Sequence, residues 1–437
     1  MSESPQISLS NHVDDLTSDI LDACTRCGAC VEVCPVVPFA DLARSNPSEV
    51  VSGVVDVLAG APRMPETSAR WAHQCNGCGV CIPACPEGVN PRQLIMLAST
   101  QEARQNSGTP HLFRKMSRAI RTMAAMQLVP EDLARLLQPP RARDAETVFY
   151  LGCNAIRTPH ILFNAMYVLD ALDVDYEVVG GSSACCGIIH SKWQGNLDAG
   201  GRVTESTLNR FGEFKPKTVL NWCPSCELHL GETIAGYRDV NFDFDHITKY
   251  LLTREVELAA RMTTPVNMRI VLHAHEGMRE LGDNVARLLG HVPRLTIVDT
   301  VLEPGYTCGG SGADRSPALK AHLREETVRR ASQPDVDALV SLYHGCHMQL
   351  AAAANQHGFQ TVNFTDLLVQ GLGGEPRTDA LEAFRALSDW QEIARDAQPM
   401  LATNGIQMGD EMLAEILPDL FSSAEFKGGL DVFAPKS

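Results

Sequence analysis

The 437-residue chain has no uninterrupted apolar run of about 18 residues, the length a helix needs to cross a bilayer, so no transmembrane segment is expected. Its first residues, MSESPQISLSNHVDD, hold no basic stretch followed by an apolar one and no twin arginine. This argues against a secretory leader and for the cytoplasm, with peripheral attachment at the inner membrane face still compatible. Positive charge is scarce as well: 37 Lys and Arg stand against 53 Asp and Glu, a formal charge of −16, and no basic stripe interleaved with aromatics offsets it. Phosphate backbones would be repelled, so nucleic acid is not an expected partner. Gly309-Gly310-Ser311-Gly312 lacks the lysine of a phosphate-binding loop, and no full dinucleotide fingerprint occurs, so that stretch reads as a turn.

Cysteine, by contrast, is abundant, with fifteen in all. In a long chain without a leader, thiols serve metal or redox chemistry rather than a disulfide scaffold. Eight fall in two runs of identical spacing, Cys24-x2-Cys27-x2-Cys30-x3-Cys34-Pro35 and Cys75-x2-Cys78-x2-Cys81-x3-Cys85-Pro86. A cubane iron–sulfur cluster needs four thiolates converging on its corners, and three of them come from one tight loop. Buried thiols or zinc sites would not call for two copies of so fixed a spacing, each ending in Pro. The runs resemble those of bacterial two-cluster ferredoxins, in which the fourth Cys serves the other cluster. The resemblance implies one [4Fe-4S] cubane on Cys24, Cys27, Cys30 and Cys85, and another on Cys75, Cys78, Cys81 and Cys34.

Residues 1–105 read as a helical module carrying both runs. Asn46-Pro47-Ser48-Glu49 ahead of an apolar stretch is a helix start with Pro at its first position, and Pro91 opens another. Residues 106–145 read as a polar, Pro-rich linker. The texture then changes to short apolar strands alternating with helical stretches: TVFYLGC, PHILFNAMYVLDAL, YEVV, a polar helix, TVLNWC and CELHLGETIAGY. That alternation predicts α/β structure. It recurs as MRIVLHAH, MRELGDNVARLLG, LTIVD, PALKAHLREETVRRA and DALVSLYHGC, an internal duplication with repeats at 146–260 and 261–372. Residues 373–437 read as an acidic helical tail. The whole is expected to be a multidomain α+β protein, an all-helical two-cluster module followed by a duplicated α/β module.

The first repeat carries Cys153, then Cys185-Cys186-Gly187, then Cys223-Pro224-Ser225-Cys226, each group at the end of a predicted strand. Strand C-termini of a parallel sheet converge on one edge, where ligands bind, so the five thiols can meet. Adjacent cysteines neither form an unstrained disulfide nor share one tetrahedral zinc comfortably. In these motifs the chain, over roughly residues 15–370, resembles the cysteine-rich (CCG) domain family: the B and D subunits of heterodisulfide reductase, the iron–sulfur subunits of glycolate oxidase and anaerobic glycerol-3-phosphate dehydrogenase, and lactate-utilisation iron–sulfur proteins. The resemblance implies a noncubane [4Fe-4S] cluster on Cys153, Cys185, Cys186, Cys223 and Cys226. A cubane with one free thiol, or five thiols without metal, are the other readings of the same residues.

In the second repeat the set is incomplete. A step of 122 or 123 residues lays Cys308 on Cys186, Cys346 on Cys223, Gln349 on Cys226, Thr307 on Cys185, and His275 or Glu276 on Cys153. Cys308, Cys346, His275 and Glu276, with His273, His344 and His347 nearby, would suit an additional mononuclear metal ion. They would equally serve as pocket-lining relics, or lend one histidine to substrate or proton chemistry. His73, His190 and His229 lie near cluster cysteines as hydrogen-bond donors or surface residues.

The family resemblance implies an iron–sulfur electron-transfer subunit between a flavoprotein dehydrogenase, of the 2-hydroxy acid or glycerol phosphate type, and quinone or another acceptor. Flavin would sit on that partner, since no flavin fingerprint occurs in this chain. The rival expectation is a heterodisulfide-reductase-like reductase of disulfides or sulfur compounds acting at the five-Cys cluster.

Overall fold

The computed structural model describes residues 8–106, 111–138, 140–303, 305, 315–351, 357–387 and 389–420. Up to Leu137 the described residues form helices and turns without a strand. Helix Pro47–Leu58 starts where its sequence says: Asn46 accepts a hydrogen bond from the Ser48 amide at 3.0 Å, and Pro47 occupies the first helical position, where no amide is needed. Asn90 and Pro91 begin helix Pro91–Gln105 in the same way. Both helices bury apolar faces, Val50, Val51, Val54 and Val57 on one and Leu94, Ile95 and Leu97 on the other.

The stretch 106–145, expected as a polar linker, carries helices Leu112–Gln127 and Pro130–Leu137. Met123, Ala125 and Met126 pack with Ile393, Ala397 and Leu401 of helix Trp390–Thr403 and with Leu413 and Leu417 of helix Asp410–Leu420. The Pro-rich flanks hid an amphipathic helix whose apolar partners lie in the last quarter of the chain, a separation over which no local pattern reports.

The α/β part contains two four-stranded sheets, all parallel. In the first, β1 (Thr147–Gly152), β2 (Tyr176–Gly180), β3 (Thr218–Asn221) and β4 (Asp243–His246) lie in the order β2-β1-β3-β4. In the second, β5 (Met268–His273), β6 (Leu295–Val301), β7 (Ala338–Ser341) and β8 (Gln360–Asn363) repeat that order as β6-β5-β7-β8. Strand β1 is buried along its whole length, as a central parallel strand should be. Phe149 and Leu151 join the apolar core shared by the two sheets, whereas Val148 and Tyr150 join the core that holds the N-terminal helices. The first sheet therefore lies between the helical module and the second lobe.

The lobes meet reciprocally. Helix Pro159–Ala171 of the first packs on helix Phe364–Gly371 of the second, and helix Arg279–Leu289 of the second packs on helix Ile247–Thr253 of the first. These are equivalent elements exchanged, the contact pattern of a pseudo-two-fold axis. No helix among the described residues is long and apolar enough to cross a membrane.

Candidate metal centres

The eight N-terminal thiols fall into two groups. Cys24 ends helix Leu9–Ala23, its amide bonded to the Ile20 carbonyl at 2.9 Å, and with Cys27, Cys30 and Cys85 it lines one small cavity walled by Val51, Val89 and Leu94. Cys27 is exposed on this cavity and Cys30 is buried. Burial pushes the Cys30 thiol up to about 12, and Cys24, Cys27 and Cys85 add to the rise. In the other group, burial raises Cys34 to about 11 with Cys75 adding, and raises Cys78 to about 12 with Cys75 and Cys34 adding. Cys81 is raised by burial and by Cys75, Cys78 and Cys34. Each loop thus lends its last Cys to the other loop's group. Four thiolates together in such a site are opposed by desolvation and by mutual repulsion, and a cationic iron centre offsets both. The donor sets fit cubane clusters.

The two groups differ in surroundings. The Cys34, Cys75, Cys78 and Cys81 group faces the α/β lobes. The hydrogen that stands in for a side chain on Gly277 faces the Cys78 carbonyl so closely that any Cβ there would overlap it. Half-buried Lys192 of the first lobe and Arg315 both feel the charge of Cys75, and their cations bracket Trp193 at 5.5 and 3.9 Å from its ring centre. Arg92 on helix Pro91–Gln105 bonds Glu232 of the first lobe, and Gln93 donates to the Glu232 carbonyl at 2.5 Å. Nothing in the local pattern around Lys192 or Arg315 marks them for this place.

The five thiols of the first lobe meet at the C-terminal ends of β1, β2 and β3, and all five are buried. Cys153 follows β1, Cys185 and Cys186 follow the turn Ser182–Ala184 after β2, and Cys223 caps the short helix Pro224–Leu228 that contains Cys226. Cys185 is held well below the ordinary thiol range because Cys153 and Cys186 hydrogen-bond to it, with the Gly187 amide 3.4 Å away assisting. Cys226 is pushed up by its bonds to Cys186 and Cys223 and by burial. The five sulfurs therefore form one connected group. Threonines of helix Leu197–Gly212 fix the Cys-Cys turn: Thr207 donates to the Cys185 carbonyl at 2.8 Å and Thr204 to the Cys186 carbonyl at 2.9 Å. Tyr150 donates to the Ala184 carbonyl at 2.9 Å, with its oxygen 3.5 Å from Cys226 Sγ. Sulfur donors alone, walled by Tyr150, Trp222 and Leu151, suit an iron–sulfur cluster.

The second lobe shows that a constant sequence step misplaces its residues. Strands β3 and β7 each run two residues past their ends to a helix N-cap, so Tyr343 stands at the place of Cys223 and Cys346 at that of Cys226. Asn221 beside His246 and Ser341 beside Asn363 confirm the register, since His246 and Asn363 both cap the next helix. Leu272 pairs with Val340 as Phe149 pairs with Leu220, which counts Cys153 onto Glu276, whereas the caps of the following turns, Cys153 before Asn154–Arg157 and His275 before Glu276–Met278, put His275 in its place. Of the residues expected to hold an additional metal, Cys308 lies outside the described residues, as does Gly309-Gly310-Ser311-Gly312. Glu276 is taken up by Arg279, at 2.7 and 2.8 Å. His275 and Cys346 do come together, Nε2 to Sγ 3.0 Å, and His273 completes a buried group with them. Burial pushes His344 down to about 4, against the opposing charge of Cys346.

Comparison with known proteins follows this division of the chain. The model of a 4Fe-4S dicluster domain matches residues 23–90, and that of the cysteine-rich domain matches 147–231 and again 273–351. The chain belongs to the CCG-domain iron–sulfur oxidoreductase family. This CCG-domain protein is 24% identical to the D subunit of the dihydromethanophenazine:CoB–CoM heterodisulfide reductase of Methanosarcina mazei, over 82% of its own length and 95% of that protein's. It is 20% identical to the probable glycolate oxidase iron–sulfur subunit of Bacillus subtilis, over 80% and 94% of the two chains. With the EtfAB:quinone oxidoreductase of Syntrophomonas wolfei it shares 19% identity, over 70% of this chain and 49% of that one. The matched domains support iron–sulfur clusters in this CCG-domain protein, and the relatives support a redox role within a multi-subunit complex. Its three histidines near cluster cysteines are spread in environment. His73 is exposed and 2.6 Å from Glu102, His190 lies 2.7 Å from Gln194 Oε1 and packs on Phe113, and His229 is buried and pushed down to about 4 by its burial.

Proposed function

We propose that this protein is the electron-transfer subunit of an oxidoreductase complex, relaying electrons between a flavoprotein dehydrogenase of the 2-hydroxy acid or glycerol phosphate type and quinone or another acceptor, at or near the inner membrane face. The observation that carries the reading is the order of the three thiol sets. The Cys24, Cys27, Cys30 and Cys85 set opens to solvent at Cys27, the Cys34, Cys75, Cys78 and Cys81 set is wedged against the lobes, and the five-thiol set is buried and linked to it through Lys192, which feels Cys75 and acts on His229 beside Cys185. Clusters on these sets, the last of them noncubane, would supply one-electron redox chemistry. The protein's own part is to exclude water from the five-thiol set, to hold the turns rigid through Thr204, Thr207 and Tyr150, and to set the local charge through Lys192 and Arg315. In the second lobe Tyr343 stands where the first has Cys223, and neither His275 nor Glu276, the residues that answer to Cys153, is a cysteine, which favours a single destination over a symmetric disulfide-cleaving site.

The test is anaerobic stopped-flow bleaching of the purified protein mixed with a flavoprotein 2-hydroxy acid dehydrogenase or glycerol phosphate dehydrogenase from the same cells, with its substrate. Bleaching should be much faster with one of these than with substrate alone. No acceleration by either would remove the relay reading.

A catalytic reductase of disulfides or sulfur compounds is the second reading, favoured by the complete five-thiol set and by the likeness to a heterodisulfide reductase component over nearly all of that chain's length. Addition of a disulfide to the oxidised protein should then change the electron paramagnetic resonance signal of the third cluster, and an unchanged signal would sink it.

A further inference from the structure

We propose that His160, His347 and Asp379 bind one divalent transition-metal ion, zinc by its donor set, at a site separate from the sulfur-lined centres. The three come from segments far apart in the chain. His160 is in the first turn of helix Pro159–Ala171 of the first lobe, His347 is in helix His344–Leu350 of the second, and Asp379 caps helix Ala380–Arg385 in the C-terminal segment. One donor atom of each lies within 4.8 Å of the other two. Asp379 Oδ2 is 2.6 Å from His347 Nε2, and Asp379 Oδ1 is 3.4 Å from His160 Nδ1. Tetrahedral ligands bound to zinc at their usual lengths stand about 3.3 Å apart, so an ion enters this group with small side-chain shifts.

His160 is what points to a ligand. The residue is 3% exposed, and neither ring nitrogen makes a hydrogen bond, the approach to Asp379 included. A buried imidazole left this way is costly, and a metal bond to one nitrogen satisfies it. Burial also pushes His160 down to about 4, so the ring is neutral and offers a lone pair. The outer contacts are those of a metal site: Ser341 Oγ lies 3.2 Å from His347 Nδ1, which leaves Nε2 facing the group, and the Glu382 amide donates to Asp379 Oδ1 at 3.1 Å. Against its burial, Asp379 holds His347 above the ordinary imidazole range, so an incoming ion displaces that proton. Two imidazoles and one carboxylate then match zinc, with water or the Glu382 carboxylate as the fourth ligand. The ion would staple the C-terminal helices to both lobes across their seam.

The experiment is metal analysis and zinc-edge X-ray absorption on the full-length protein, purified anaerobically with its clusters after growth with zinc. The expected result is about one zinc per chain beside the cluster iron, in a shell of nitrogen and oxygen with imidazole scattering and no sulfur. His160→Asn and Asp379→Asn should each lose the zinc and keep the cluster iron and absorbance. Failure of the wild-type chain to hold zinc, even when supplied, would overturn the proposal without reference to any variant. So would a sulfur in the zinc shell, which would place the ion at His273, His275 and Cys346 instead.

Discussion

Gly152 shows how little room the five-thiol site leaves. Its φ is +71°, in the left-handed region, and a Cβ would lie 2.7 Å from Cys223 Cβ and 3.1 Å from Cys226 Sγ. Gly152→Ala therefore carries a backbone strain of about 1–2 kcal/mol and pushes the two thiols of the Cys-Pro-Ser-Cys turn out of place. The expected outcome is loss of the third cluster's iron and its paramagnetic signal, with the two ferredoxin-type signals kept. Full iron content in the variant would show that the turn has slack. The five cysteines themselves were legible from spacing, because cysteine is otherwise scarce beyond Cys85 and these five stand in fixed groups at strand ends. The residues that hold them, Gly152, Tyr150, Thr204 and Thr207, were not, because glycines, tyrosines and threonines occur everywhere for other reasons.

At the level of elements, each N-terminal loop places its last cysteine in the other loop's thiol group, and this yields a paired prediction. Cys34→Ser should damage the cluster of Cys75, Cys78 and Cys81, and Cys85→Ser the cluster of Cys24, Cys27 and Cys30, as read by redox-titrated paramagnetic resonance. Each variant losing the cluster of its own loop would reverse the assignment. The helix starts at Asn46-Pro47 and Asn90-Pro91 were readable, since a cap and a proline act within one turn. Helix Leu112–Gln127 was not, since its apolar face is satisfied by helices at residues 390–420. The constant offset between repeats failed for a related reason: loops of different length separate equivalent strands, and only strand register and helix caps place Cys346 at the position of Cys226.

For the whole molecule, the junction between the helical module and the first lobe sets the charge around the inner thiol group. Burial, against the opposing charge of Cys75 and with the help of Arg315, lowers Lys192 to about 8. A lysine is charged below its pKa and neutral above it, and a nearby positive charge favours the reduced, more negative cluster. The potential of the Cys34, Cys75, Cys78 and Cys81 centre should therefore fall as pH rises through about 8. In Lys192→Met it should be lower by about 50–100 mV at pH 7, and flat across that range, given one unit charge at about 7–14 Å in an effective dielectric near 20. A potentiometric titration that leaves the variant unchanged would place the cation too far away to act. What the sequence determined by itself was the presence of three thiol sets, the duplication and the strand–helix alternation, because ligand spacing and hydrophobic period are local. Tertiary structure alone decided which set faces solvent and which faces the lobes. It also decided that the second lobe gathers His273, His275 and Cys346, and that His160, His347 and Asp379 meet at all. Those meetings depend on how separate elements pack across the pseudo-two-fold seam, and no stretch of chain carries that information alone.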